Sequence, residues 1–392
     1  MNSLMDFQLL LPPRVHFGWG ARKDLGHLTA TVGHRICLIA GSRALQKSTL
    51  WEEMTTNLKE HQVEVVSQVE IHREPTVEDV DETVREITGR KPFPDCVLAI
   101  GGGAAIDLGK AASAMLTNSK GRSVREFLEG VGTGAQLEEA PLPLVAVPTT
   151  SGTGTEATKN AVISVSEPAC KKSLRSEQMV PRVVVVDPEL TVSLPQSTTA
   201  TSGMDALTQL IESYTSCRAN VFTQSLCLDG LRDGFSSLEV AYRDGQNREA
   251  RTAMSYAALL SGMALANSGL GMAHGVAAAL GAVCGISHGL ACAVMLPVAM
   301  RSNRKVALSR YAHIGRTVLP DVTGTDDEVT DALIKRVDSL LAELSISTRL
   351  RDYGVREDQL PEIAIGSRGN SLSGNPRPIE TEELQKILEK CW

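Results

Sequence analysis

Five short runs rich in β-branched residues alternate with amphipathic helical segments through the first half of the chain, and then the strands stop. RICLIAG (35–41), VEVVSQVE (63–70), CVLAIGGG (96–103), LVAVPTT (144–150) and RVVVVDP (182–188) read as strands. Helical patterns such as VEDVDETVREITGR (77–90) and AAIDLGKAASAML (104–116) lie between them. Such alternation builds a mainly parallel sheet with helices on both faces. From Thr199 to Trp392 no segment reads as a strand. Ala/Leu-rich helical patterns run instead over 202–216, 248–267, 327–344 and 380–392. DPELTVSLP (187–195), bracketed by prolines, can continue neither a strand nor a helix and marks the change. A chain of 392 residues is also too long for one compact core. The expected architecture is an α/β dinucleotide-binding domain over 1–190 and an all-α domain over 191–392, with a ligand cleft between them.

The composition excludes several classes of partner. A net charge of −7 and a longest basic cluster of only Lys171, Lys172 and Arg175 give no face for nucleic acid. That cluster reads as a solvated loop. The eight cysteines form no CxxC pair, and most lie in apolar runs, as buried thiols in a reducing compartment would. The opening MNSLMDFQLLLPPRVHFG has no basic n-region, and no window of about 18 apolar residues exists to span a membrane. The cytoplasm is the expected location.

Two glycine-rich elements follow strands. Gly101, Gly102 and Gly103 close one strand and open a helix carrying Asp107 and Lys110. Glycines at that junction let backbone approach a ligand, and the helix N-H groups favour an anion. A nucleotide pyrophosphate is the expected ligand, although the pattern is neither GxGxxG nor a Walker A sequence. PTTSGTGTEAT (148–158) offers hydroxyls and glycines that can wrap a ribose or an amide. Two such loops after neighbouring strands describe a dinucleotide crevice.

In the second half, Asp205 and Gln209 fall four apart on a helical pattern, so both share one face. His274 and His288 stand alone in a long stretch otherwise free of histidine, among small apolar residues. A buried imidazole needs a partner or a metal, because an unsatisfied polar group costs a few kcal/mol. The four residues read as an incomplete metal site. Hydrogen bonding of Gln209 to Asp205 or a histidine, around water, is the alternative.

These motifs together resemble the iron-containing (group III) alcohol dehydrogenase family, which includes glycerol dehydrogenase and is related to dehydroquinate synthase. The likeness is carried by FGWGARKDLG (17–26), EPT (74–76), GGGAAIDLGKA, PTTSGTGTEAT, DPELTVSLP, SGMDALTQLIESYTS (202–216), HGVAAALGAVCGISHG (274–289) and SGNPR (373–377), and so runs over essentially the whole chain. It implies the dehydroquinate synthase-like, iron-dependent alcohol dehydrogenase fold, with metal ligands at Asp205, Gln209, His274 and His288. The second of these is normally His. Two further departures are Ala278, where a histidine serves a proton relay, and Ala104, where the family has Ser. An amide in place of an imidazole weakens binding of iron or zinc.

The cofactor residues implied are Gly41, Ser42, Arg43, Gly101, Gly102, Gly103, Asp107, Thr149, Thr150, Thr153, Thr158 and Lys171. NAD-preferring members carry an acidic residue where Gly41 stands. Ser42 and Arg43 would accommodate a 2′-phosphate, which narrowly favours NADP over NAD. A plain surface charge is the alternative for Arg43.

The activity implied is hydride transfer between a nicotinamide and a small alcohol or aldehyde, with Asp205, His274 and His288 as the catalytic set, in a homo-oligomer, dimeric or larger. Three other readings stay open: a metal-independent reductase like maleylacetate reductase, a dehydroquinate synthase-like lyase, and a nucleotide binder without catalysis.

Overall fold

A computed structural model describes residues 6–167 and 169–392. The chain forms two compact units. One comprises Leu10–Thr150 and Gly154–Ser193; the other comprises Leu194–Trp392 together with Ser151–Thr153 and the segment ending at Leu9.

The first unit is built on strands β1 (Val15–Phe17), β2 (Arg35–Ala40), β3 (Glu64–Glu70), β4 (Cys96–Gly101), β5 (Leu144–Pro148), β6 (Asn160–Val165), β7 (Cys170–Arg175) and β8 (Val183–Val186). Helices α1 (Leu25–Ala30), α2 (Arg43–Gln46), α3 (Thr49–Glu60), α4 (Val77–Thr88) and α5 (Gly103–Asn118) connect them. Six strands form one parallel sheet in the order β1-β8-β5-β4-β2-β3. Strict alternation along the central strands sorts the core into two layers. Cys37, Ile39, Val97, Ala99, Leu144 and Ala146 pack with α4 and α5, while Ile36, Leu38, Leu98, Ile100, Val145 and Val147 pack with α1 and α3. Both faces are covered, as a parallel sheet requires.

All five expected strands are present. The hairpin β6–β7 and the three-residue β1 were not expected. The reading of Lys171, Lys172 and Arg175 as a solvated loop is corrected: they lie in β7, paired antiparallel to β6. Lys171 is only 10% exposed and pairs with Glu74 at 2.5 Å, and Arg175 pairs with Glu129 at 2.7 Å.

The second unit is helical, with no strand among its described residues. Its helices are α6 (Gln196–Thr215), α7 (Val221–Arg243), α8 (Arg248–Ser268), α9 (Met272–Cys284), α10 (His288–Val318), α11 (Asp326–Glu343), α12 (Leu360–Gly366) and α13 (Thr381–Cys391). One large apolar core joins them, with α6 packed against α7, α8 and α10. No helix of the described residues is long and apolar enough to cross a membrane.

Candidate active site

In the sheet unit the strand order reverses between β2 and β4, because β3 lies beyond β2 and the chain then returns to the other side. Such switch points, at the carboxyl ends of strands, are where open α/β sheets hold ligands. Gly41 and Gly101 stand at those two strand ends, and the amide of Gly41 donates to the Ile100 carbonyl at 2.9 Å. A Cβ on Gly101 would come within 2.6 Å of the Ala105 Cβ and 2.9 Å of the Gly41 Cα. Only glycine fits there. Gly102 precedes α5 in extended conformation, and Thr150 packs beside it, 3.3 Å from where a Cβ would stand.

Other predicted cofactor residues are placed as follows. The Ser42 hydroxyl accepts from the Leu45 amide at 3.2 Å and caps α2. Arg43 is exposed and makes no ion pair among the described residues. The Thr149 amide donates to the Gly101 carbonyl at 2.9 Å. Asp107 accepts from the Thr155 hydroxyl at 2.6 Å and the Val162 amide at 3.2 Å. Lys110, fully buried, donates to Thr155, Thr158 and the Asn160 carbonyl at 3.1, 2.7 and 2.9 Å. Burial lowers the pKa of this amine to about 8, against the pull of Asp107 and Glu156. The glycine-rich loop is therefore tied to α5 by the Lys110 amine and the Asp107 carboxylate. Its neighbour Glu156 is buried as well, and desolvation lifts that carboxyl to about 7.

In the helical unit, donors from three helices converge. Asp205 lies on α6, His274 in the first turn of α9, and His288 opens α10. His274 Nε2 is 3.2 Å and His288 Nε2 3.7 Å from Asp205 Oδ1, and the two rings lie 5.5 Å apart. Asp205 and His274 are buried, whereas the His288 side chain is 33% exposed. The close approach of α10 to α6 depends on Gly289, where a Cβ would fall 2.5 Å from the Thr201 carbonyl.

Two residues at this site were missed from sequence. Cys292, one turn after His288, joins Asp205, His274 and His288 in a cluster whose ligand atoms all lie within 4.8 Å of one another. Its signal was the spacing His288-x-x-x-Cys292 on a helix. Glu212 continues the face of α6 beyond Asp205 and Gln209. It accepts from His274 Nδ1 at 2.8 Å and from the amides of Gly271, Ala273 and His274 at 3.1, 2.6 and 3.3 Å. A carboxylate at the start of α9 suits the helix dipole and leaves His274 Nε2 directed to Asp205.

The electrostatics follow from this packing. At Asp205 burial opposes charge, but His288, His274 and Cys292 hold the carboxyl below its usual range. Burial likewise opposes a charged His274, yet Cys292, Asp205 and Glu212 keep it well above its ordinary value. Cys292 is the largest influence on His288, raised to about 9. One carboxylate and two imidazoles at these separations fit a divalent transition metal.

Gln209 is engaged differently. Its amide nitrogen donates to the Thr153 carbonyl at 3.0 Å and the Ser261 hydroxyl at 2.8 Å. Ala278 and Ala104 are partly buried and offer no polar group. SGNPR returns to the start of α9, where Asn375 accepts from the Met272 amide at 3.2 Å.

A glycine crevice at a sheet switch point and a carboxylate–imidazole cation site define a class of protein furnished for a dinucleotide and a divalent metal. The chain belongs to the iron-containing alcohol dehydrogenase family. The iron-containing alcohol dehydrogenase model matches residues 12–188, and the C-terminal model of the same family matches 199–392. The chain is 33% identical over 387 residues to the NADPH-dependent butanol dehydrogenase of Clostridium saccharobutylicum, covering 97% of this chain and 96% of the relative. It is 29% identical to the NAD-dependent methanol dehydrogenase of Bacillus methanolicus, over 97% and 98% of the two chains. Among solved structures it is similar to a 1,3-propanediol oxidoreductase at a TM-score of 0.89 and 29% identity, covering 99% and 100%.

Proposed function

We propose that this protein is an NAD(P)-dependent alcohol dehydrogenase, working in reverse as an aldehyde reductase, which moves a hydride between a nicotinamide and a small alcohol. The observation that carries this reading is the convergence of Asp205, His274 and His288 on one cation-sized space. Iron or zinc held by these three would polarise the substrate oxygen and lower the alcohol's pKa. Asp205 supplies the negative charge, Glu212 fixes the His274 tautomer, and the partly exposed side of His288 leaves the approach for substrate.

Gly101, Gly102 and Gly103 and the start of α5 receive the pyrophosphate. Gly41, Ser42, Asp107, Thr149, Thr150, Thr153, Thr158 and Lys171 complete the cofactor set, directly or by shaping the crevice. Arg43, exposed and without an ion pair among the described residues, suits a 2′-phosphate, so NADP is favoured over NAD. The free state of all eight cysteines supports a cytoplasmic setting, and the family likeness supports a homo-oligomer.

The test is turnover of purified protein with a series of small alcohols and aldehydes, beside His288→Ala. The variant is expected to lose several kcal/mol of transition-state stabilisation, about a thousandfold in rate, while binding NADPH as the parent does. Activity retained by the variant sinks the assignment.

A further inference from the structure

We infer that Cys292, and not Gln209, is the fourth protein ligand of the cation site, making a donor set of one carboxylate, two imidazoles and one thiolate. The inference rests on the metal-assisted reading above and deepens it.

Geometry supports it first. His288 and Cys292 sit one turn apart on α10, and the Cys292 Sγ lies 3.7 Å from His288 Nε2. The thiol sulfur also lies within 4.8 Å of the ligand atoms of Asp205 and His274, so all four donors share one small space. Zinc bonds of about 2.0–2.1 Å to nitrogen or oxygen and about 2.3 Å to sulfur place tetrahedral donors about 3.3–3.6 Å apart. Three of the six separations are 3.2, 3.7 and 3.7 Å, and the other three are no more than 4.8 Å.

Gln209 has other partners. The Thr153 carbonyl can only accept, so the Gln209 atom bonded to it is the amide nitrogen, and the roll of the amide is fixed. Both of its N-H groups are used, on Thr153 and Ser261. The side chain holds the Ser151–Thr153 segment against the helices through its nitrogen, and its neutral carbonyl oxygen is a poorer donor to a transition metal than a thiolate.

The chemistry has consequences. Asp205 and a Cys292 thiolate together neutralise a divalent ion, which Asp205 and an amide would not. A thiolate beside imidazoles favours zinc over a site of harder donors. Four protein donors also leave only the partly exposed side at His288 for one more.

The experiment uses the full chain, stripped of metal and reloaded with zinc or cobalt(II). X-ray absorption of the zinc form is expected to show one sulfur neighbour at about 2.3 Å among nitrogen and oxygen. The cobalt form is expected to show a thiolate charge-transfer band in the near ultraviolet. That band should persist in Gln209→Ala and vanish in Cys292→Ser, with cobalt still bound in both. Zinc affinity should fall more than about 100-fold in Cys292→Ser, beyond what loss of an outer-shell partner costs. A stoichiometric zinc shell of nitrogen and oxygen alone overturns the inference and leaves Asp205, His274 and His288 as the site. A charge-transfer band that survives in Cys292→Ser overturns it too. Failure of the parent chain to bind either metal overturns both this inference and the metal-assisted reading. The parent's absorption spectrum decides even if the serine variant folds poorly.

Discussion

The Glu212 carboxylate sits 2.8 Å from Nδ1 of His274 and gathers three backbone amides at the start of the same helix. One side chain on α6 therefore sets both the position of α9 and the ring orientation of a candidate ligand. Glu212→Gln keeps the shape and loses the charge. Metal affinity should fall about 10- to 100-fold, the usual cost of a lost outer-shell partner, with the ligand atoms unchanged. Competition with a chromophoric chelator measures it.

Arg43 tests the cofactor preference. It is exposed, so its removal should leave stability within about 0.5 kcal/mol. If it meets a 2′-phosphate, Arg43→Ala should weaken NADPH by about 1.5–3 kcal/mol, the worth of a hydrogen bond to a charged group, and leave NADH unchanged. Binding titrations with the two nucleotides separate the cases. Equal effects on both would show that Arg43 does not read the phosphate.

The buried carboxyl of Glu156 gives a pH dependence of stability. Its folded pKa of about 7 lies above the ordinary 4.5, because burial disfavours the anion. Between those values the folded chain keeps a proton that the unfolded chain has lost, so stability falls as pH rises through the window. Lys110 acts at higher pH and with opposite sign. Its folded pKa of about 8 lies below the ordinary 10.5, so stability rises with pH across that interval. Glu156→Gln should abolish the first slope, gaining on the parent up to about 3 kcal/mol by neutral pH, and should extend the second to lower pH because Lys110 loses one of its two supporting carboxylates. Urea unfolding at intervals across both windows reads it.

The pair Arg22–Asp187 ties the segment FGWGARKDLG to DPELTVSLP. The guanidinium lies 2.9 Å from Asp187, and both side chains are buried. Asp187→Ala leaves a buried cation with Glu189 and Glu53 as remaining partners. The loss should be about 3 kcal/mol, the lower end for a broken buried pair, measured by chemical denaturation.

The central strands were legible because both their faces are apolar, and a parallel sheet covered on both sides leaves that trace. β7 was not, because CKKSLR turns only Leu174 fully inward and its basic residues are spent on Glu74 and Glu129. β1 is three residues long and exists through its register with β8, a partner far along the chain. At the candidate site, His274 and His288 stood out by their rarity and Asp205 by its helical spacing. Cys292 did not, since a cysteine in an apolar run reads as packing until the fold turns it toward imidazoles. Glu212 was hidden for a similar reason: nothing local says that a helical glutamate will meet the start of another helix.

Ser151–Thr153 packs with the helical unit although the residues on either side belong to the sheet. The Ser151 hydroxyl meets Ser255 at 3.0 Å, and the Thr153 carbonyl takes the Gln209 amide. During synthesis these three residues leave the ribosome well before the helices that complete them. The helical unit thus cannot be made whole from the later part of the gene alone. A fragment beginning at Leu194 would leave Ser255 without Ser151 and Gln209 with Ser261 but not the Thr153 carbonyl. The order of translation leaves the last packing step of the helices waiting on a strand-end loop made earlier.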